Sequence, residues 1–116
     1  MINELIESIF ANFAVDGKTV PVSFLRYDGK STTYVTYQQT HADNSFSADD
    51  DLEAYVDFYD FDIYSKSNYM SIVEAIKTKL KDNGFTWQPS RSSGDFYEDD
   101  TGYYHKTLSF AIERSN

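Results

Sequence analysis

Cysteine is absent from this chain of 116 residues. That excludes disulfides, zinc–thiolate centres and thiol nucleophiles. Glycine is scarce, with five residues in all, and they do not gather into the loop that cradles phosphates. Cationic residues are in deficit: ten Lys and Arg stand against nineteen Asp and Glu, for a formal net charge of −9. Binding to a phosphate backbone or an anionic membrane needs clustered cations, so neither is expected. His41 and His105 are the only histidines, and they stand alone, without metal-ligand spacing. No apolar run approaches the ~18 residues of a membrane span. The opening "MINELIESIFANF" has no basic start and no long apolar stretch, so it does not read as a secretion signal.

Aromatic side chains are plentiful: ten Tyr, nine Phe and one Trp, or 17% of the chain. Aromatics supply large contact area, and tyrosine adds a hydroxyl. The excess points to half-buried strands or protein interfaces. The length suits one domain with one core. Neither an internal repeat nor a linker divides residues 1–116.

Apolar periodicity outlines the elements. Ile2, Leu5, Ile6, Ile9, Phe10 and Phe13 recur at helical spacing, which predicts a helix over 2–13, stopped by Asp16-Gly17. "TVPVSFLRY" (19–27) and "TYVTYQQT" (33–40) read as strands joined through Asp28-Gly29, so a hairpin is expected. Pro21 must lie at a strand start or on an edge. The polar stretch 41–53 reads as a loop or the frayed tips of two strands. A third strand covers about 53–64. Tyr69, Ile72, Val73, Ile76 and Leu80 form a helical stripe, with Ser67 or Asn68 as cap and Gly84 as stop. A short strand at 85–89 and a last strand at 104–114, with Leu108, Phe110 and Ile112 on one face, flank an acidic loop. The expected class is α+β, a mainly antiparallel sheet with two helices packed on it, in the order α-β-β-β-α-β-β.

The stretch "EAYVDFYDFDIYSKS" (53–67) sets the functional question. In a strand, Asp60 and Asp62 share one face and Phe61 and Ile63 the other. Val56 and Phe58 fall on the acid side, so either a bulge switches the phase or that face meets another subunit; the second is favoured. Two carboxylates alone do not make a divalent-cation site, and no calcium-loop pattern is present. No serine lies in a nucleophile elbow. An enzyme, a cofactor and a metal are therefore not expected. Lys77, Lys79 and Lys81 read as a solvated helix end. The candidate interface residues are Tyr55, Phe58, Phe46, Asp49, Asp50, Asp51, Glu98, Asp99 and Asp100.

Three segments carry a resemblance: "TYVTYQQT", "YDFDIYSKSNYMSIVEAIKTKLKDNGF" and "DFYEDDTGYYHKTLSFAIER". Together with the first helix, they resemble the tail completion (tail terminator, or tail-to-head joining) proteins of long-tailed bacteriophages. The resemblance implies a virion structural protein, assembled in the host cytoplasm. It implies a ring of copies, usually a hexamer, that closes the tail tube and docks to the head connector. It implies no cofactor and no catalytic residue. A different class of function remains open: an acidic DNA mimic that inhibits a host protein.

Overall fold

The computed structural model describes residues 2–44 and 54–115. Helix α1 spans Ile2–Ile9, shorter than the periodicity predicts. Asn12 has a φ of 58°, a left-handed conformation that asparagine tolerates better than most residues. The chain leaves the helix axis there, yet Phe10 and Phe13 stay in the core and meet edge-on at 5.1 Å. Strands β1 (Ala14–Val15) and β2 (Lys18–Thr19) then form a small hairpin of their own. Asp16 and Gly17 both have positive φ, at 53° and 79°. That is the geometry of the two-residue turn that matches strand twist, and it explains the Asp-Gly pair.

Strand β3 is only Val22–Phe24 and runs beside β4, Thr33–Asn44. The expected 19–27/33–40 hairpin does not form: β3 and β4 are parallel, with Val22 aligned to Val35 and Phe24 to Tyr37. Because β3 has three residues, the connection has little distance to retrace. Pro21 lies just before the strand, where its missing N–H costs nothing, and its carbonyl accepts from the Val35 amide at 2.8 Å. Phe24 is 47% exposed, since its strand is the edge of the sheet.

Strand β5 (Ala54–Ser65) pairs antiparallel with β4 on one side, and on the other with β8 (Tyr103–Ser115). The phase of β5 never switches. Asp57, Tyr59, Phe61, Ile63 and Ser65 are all buried on the helix side, while Val56, Phe58, Asp60, Asp62 and Tyr64 are half-buried on the other. The bulge lies in β4 instead, between Gln39 and His41. Its extra residue reverses the facing of β4 beyond that point.

Helix α2 spans Met70–Asp82 and buries Ile72, Val73, Ile76 and Leu80. The Asn68 side chain accepts from the Met70 amide at 3.0 Å. At the other end Gly84 has a φ of 90°. The Gly84 amide reaches the Lys81 carbonyl at 3.2 Å and the Phe85 amide the Leu80 carbonyl at 2.9 Å. This paired ending satisfies carbonyls that the last turn leaves free, and Phe85 drops into the core beside it. Both helices cover the same side of the sheet, where Phe61 and Phe110 are central. Lys77 Nζ sits 3.7 Å from the centre of the Trp87 ring, and Lys79 Nζ 5.9 Å from that of Phe13. Two of the three lysines thus lie over aromatic faces rather than forming a basic patch.

The last stretch completes the sheet. Strands β6 (Thr86–Trp87) and β7 (Phe96–Glu98) both pair with β8, on the side away from β5. Between them, Pro89–Arg91 make a 3-10 turn. Here two hydroxyls do the work of a strand: the Ser109 amide donates to Ser92 Oγ at 2.9 Å and the Thr107 amide to Ser93 Oγ at 2.8 Å. The sheet order is β3-β4-β5-β8-β6, with β7 also on β8. The class is α+β with a mainly antiparallel sheet.

Candidate interaction surfaces

The sheet face opposite the helices is polar in its middle and aromatic at one end. Asp60 aligns with Gln38 and Ser109, Asp62 with Thr36 and Thr107, and Tyr64 with Tyr34 and His105. Partners in an antiparallel ladder share a face, so these nine side chains form three rows. The Ser109 hydroxyl donates to Asp60 Oδ1. Thr107 Oγ1 donates to Asp62 Oδ1 at 2.5 Å, and His105 Nε2 lies 3.3 Å from the same oxygen. Asp60 and Asp62 therefore have hydroxyl and imidazole partners on the next strand. Among the described residues, no group of three or more His, Asp or Glu side chains is placed to hold a metal ion.

Burial raises the Asp60 carboxyl pKa, and Asp62 adds to this; the Ser109 hydrogen bond and Arg91 oppose it. A raised pKa means that the folded state holds the proton more tightly than the unfolded chain does. The native carboxyl then favours folding below its unfolded value, and that advantage is lost as pH rises through the folded value. Asp60→Asn retains an acceptor for Ser109 and has no charge to desolvate. The variant is expected to be at least as stable as the parent at neutral pH, with the difference shrinking as pH falls towards 3.8. Urea midpoints across that range test this; a neutral-pH loss would show that the carboxylate itself is needed.

At the aromatic end, rings stack in a row across the strands. Tyr27 lies 4.7 Å from Tyr34, Tyr34 5.0 Å from Tyr64, and Tyr64 4.3 Å from His105. Burial comes first in raising the Tyr34 and Tyr64 phenol pKa values; Tyr103 and Glu98 then act on Tyr34, and Asp62 and Tyr34 on Tyr64. The two inner rings, Tyr34 and Tyr64, stack against a neighbour on each side. A stacking platform for bases needs free ring faces, and these two inner rings do not offer them.

The candidate interface residues do not converge. Tyr55 is on the helix side of β5 and Phe58 on the open side. Phe58 is covered: the Arg91 guanidinium lies 4.3 Å from its ring centre, and the His41 ring 5.6 Å away. Glu98 ends β7, and Asp99 and Asp100 lie in the turn to β8. Glu98 is tied down by Thr101 Oγ1 at 2.9 Å and by the Gly102 amide at 2.8 Å. In the ladder Glu98 aligns with Tyr103, whereas Phe58 aligns with Ala111. The two sets are thus separated by roughly 25 Å of strand. Phe46, Asp49, Asp50 and Asp51 lie outside the described residues.

Sequence reasoning overlooked the polar row. His105, Thr107 and Ser109 alternate in "HKTLS", a period-two pattern that marks one face of a strand. It also overlooked the edges. Phe24 and Leu25 are 47% and 58% exposed at the β3 edge; Phe96 and Tyr97 are 58% and 53% exposed at the β7 edge.

Compared with protein-family models, the chain matches none. A search of curated proteins returns no match either. Among the described residues no helix is long and apolar enough to cross a membrane.

Proposed function

We propose that this chain is a structural subunit of a phage virion, a tail completion protein that works as a ring between tail tube and head connector. What supports the reading is a sheet with two open, unlike edges, each bearing exposed apolar side chains. A closed ring joins one patch of each subunit to a different patch of the next, so every subunit needs two complementary surfaces on opposite sides. The long strands fit the same role. β4, β5 and β8 have 12, 12 and 13 residues, about 40 Å each, while the short strands occupy only parts of that length. Such a subunit has a body for its neighbours and an extended end for an axial partner. The reading assigns the chain no catalytic chemistry, no cofactor and a hexamer as the assembled state.

The acids of the central strand weigh against a DNA mimic, which needs carboxylates spaced over one rigid exposed surface. Asp57 is 2% exposed. Asp60 and Asp62 are half-buried and accept from Ser109 and Thr107.

The test is deletion and complementation in a phage that carries the gene. Loss of the gene is expected to leave unjoined heads and tails by electron microscopy, and the wild-type chain to restore virions. Glu98→Gln, Asp99→Asn and Asp100→Asn together are expected to lower the yield only mildly, since rim charges mainly tune encounter. Normal virions without the gene would overturn the proposal. Steeply salt-sensitive binding to a host DNA-processing enzyme, lost with these acids, would put the mimic in its place.

A further inference from the structure

Leu25 is a bulky side chain in the left-handed region, with a φ of 68°, where only Gly, Asn and Asp are at ease. Two backbone bonds hold it there: its amide donates to the Tyr37 carbonyl at 2.9 Å, and the Arg26 amide to the Phe24 carbonyl at 2.7 Å. For this conformation the monomer gains no burial, because the side chain is 58% exposed. Phe24, next to it, is 47% exposed, and among the described residues its ring contact is with Tyr37, at 5.6 Å. A strained, exposed leucine beside an exposed phenylalanine on a sheet edge is explained by a partner that covers both.

The far edge of the same sheet has the matching features. Phe96 and Tyr97 project from β7, with the Tyr97 ring leaning on Tyr104 at 4.9 Å. Strand directions also fit. β3 is parallel to β4, β4 is antiparallel to β5, β5 to β8, and β8 to β7. β3 therefore runs opposite to β7, the sense in which two edges join most readily. Along the ladder Val22–Phe24 stand level with Lys106–Leu108 and Phe96–Glu98 with His105–Tyr103, so the two edges meet with an offset of about three residues, roughly 10 Å, along the strand direction. Charge agrees too. In the exposed connection after β3, Arg26 pairs with Asp28 at 3.1 Å and Lys30 is left as the net positive charge, whereas Glu98 at the end of β7 and Asp99 and Asp100 in the turn after it have no cation among them. In so acidic a chain, an edge with a net positive loop is the natural neighbour of an acidic turn.

We propose that the β3 edge of one copy, through Phe24 and Leu25, docks on the β7 edge of a second copy, through Phe96 and Tyr97. The contact is head-to-tail and continues the sheet from subunit to subunit. It deepens the ring reading above and rests on that reading only for its place in a virion. The contact is heterologous, because the two edges differ. A defect in either edge therefore stops self-association, and two different defects complement each other.

Leu25→Asn spoils the β3 edge while suiting the left-handed backbone; Phe96→Ser spoils the β7 edge. Each variant alone is expected to sediment as a monomer, with association weakened roughly tenfold or more, as when a hot spot is truncated. Mixed in equal amounts, they are expected to form a dimer and nothing larger, since each pair retains one intact edge of each kind. The thermal midpoint of Leu25→Asn is expected not to fall. Circular dichroism checks folding, and Phe24→Ser and Tyr97→Ser repeat the test from the other member of each pair. The proposal is overturned if wild-type protein stays monomeric at millimolar concentration. It is also overturned if either variant alone assembles like wild type, or if the mixture gains nothing over its parts. A chain with the mixing pattern that fails to complement the phage retains the contact and loses the tail role. Wild-type association of Leu25→Asn in a complementing chain removes the contact and spares the tail role.

Discussion

Replacing Phe61 with alanine is expected to cost about 3–5 kcal/mol of folding stability, the range for deleting a buried aromatic ring. Phe61 is fully buried at the middle of the central strand. Its ring lies 5.8 Å from Phe10, 5.6 Å from Tyr37 and 5.7 Å from Phe110. Those rings belong to the turn after α1, to β4 and to β8, so one deletion loosens three connections at once. Neighbouring strands hold their spacing through the ladder, so the site collapses poorly and a cavity remains. Small domains have only about 5–15 kcal/mol in total, which makes this a large share. Phe61→Leu retains most of the volume and should lose much less. Equilibrium urea unfolding of both variants checks the order. A loss below ~1 kcal/mol for alanine would mean that the odd-numbered face of β5 is not the core.

Ile76→Ala is the second large effect, about 2–5 kcal/mol from lost burial and the residual cavity. Ile76 is fully buried in the stripe that seats α2 on the sheet, together with Val73 and Leu80. Thr78, two residues on, is exposed. Thr78→Ala is expected to change stability by no more than about 0.5 kcal/mol, because it touches only propensity and solvent. The contrast between the two substitutions, measured by the same urea midpoints, reports the helix face rather than the helix. If Ile76→Ala falls below ~0.5 kcal/mol, α2 is not docked through this stripe.

Local chemistry was enough for α2. Its apolar stripe and the Asn83-Gly84 stop appear in the sequence in the order that the helix needs them; the N-cap position falls to Tyr69 rather than to Ser67 or Asn68, and Asn68 instead accepts from the Met70 amide. The end of α1 was less legible. Phe10 and Phe13 fit the helical period, and they do face the core. They reach it through a turn at Asn12, and periodicity cannot tell a helix from a turn that delivers the same two rings.

Facing along β5 shows the same division. Alternation assigned Phe61 and Ile63 to one side and Asp60 and Asp62 to the other, as found. Val56 and Phe58 broke the pattern in the sequence, because they fall on the acid side, and the structure shows what lies between them: Asp57 on the core side. The structure retains the phase and meets the charge with the Gln39 amide at 3.3 Å, from the neighbouring strand just before the bulge. A partner 18 positions away leaves no trace in the local pattern.

Composition and spacing by themselves determined the class, the two helix faces, the central strand and the absence of any thiol chemistry, because these depend on neighbours within a few residues. Tertiary structure alone decided which strands pair and in which sense. The parallel β3–β4 contact depends on a backbone reversal at Leu25 that no turn residue announces. It also decided which aromatics remain outside. Phe24 and Phe96 resemble Phe61 and Phe110 in sequence, and they differ only in lying on strands with a free side. Burial is a property of the whole sheet, and an edge exists only once every other strand has found its place.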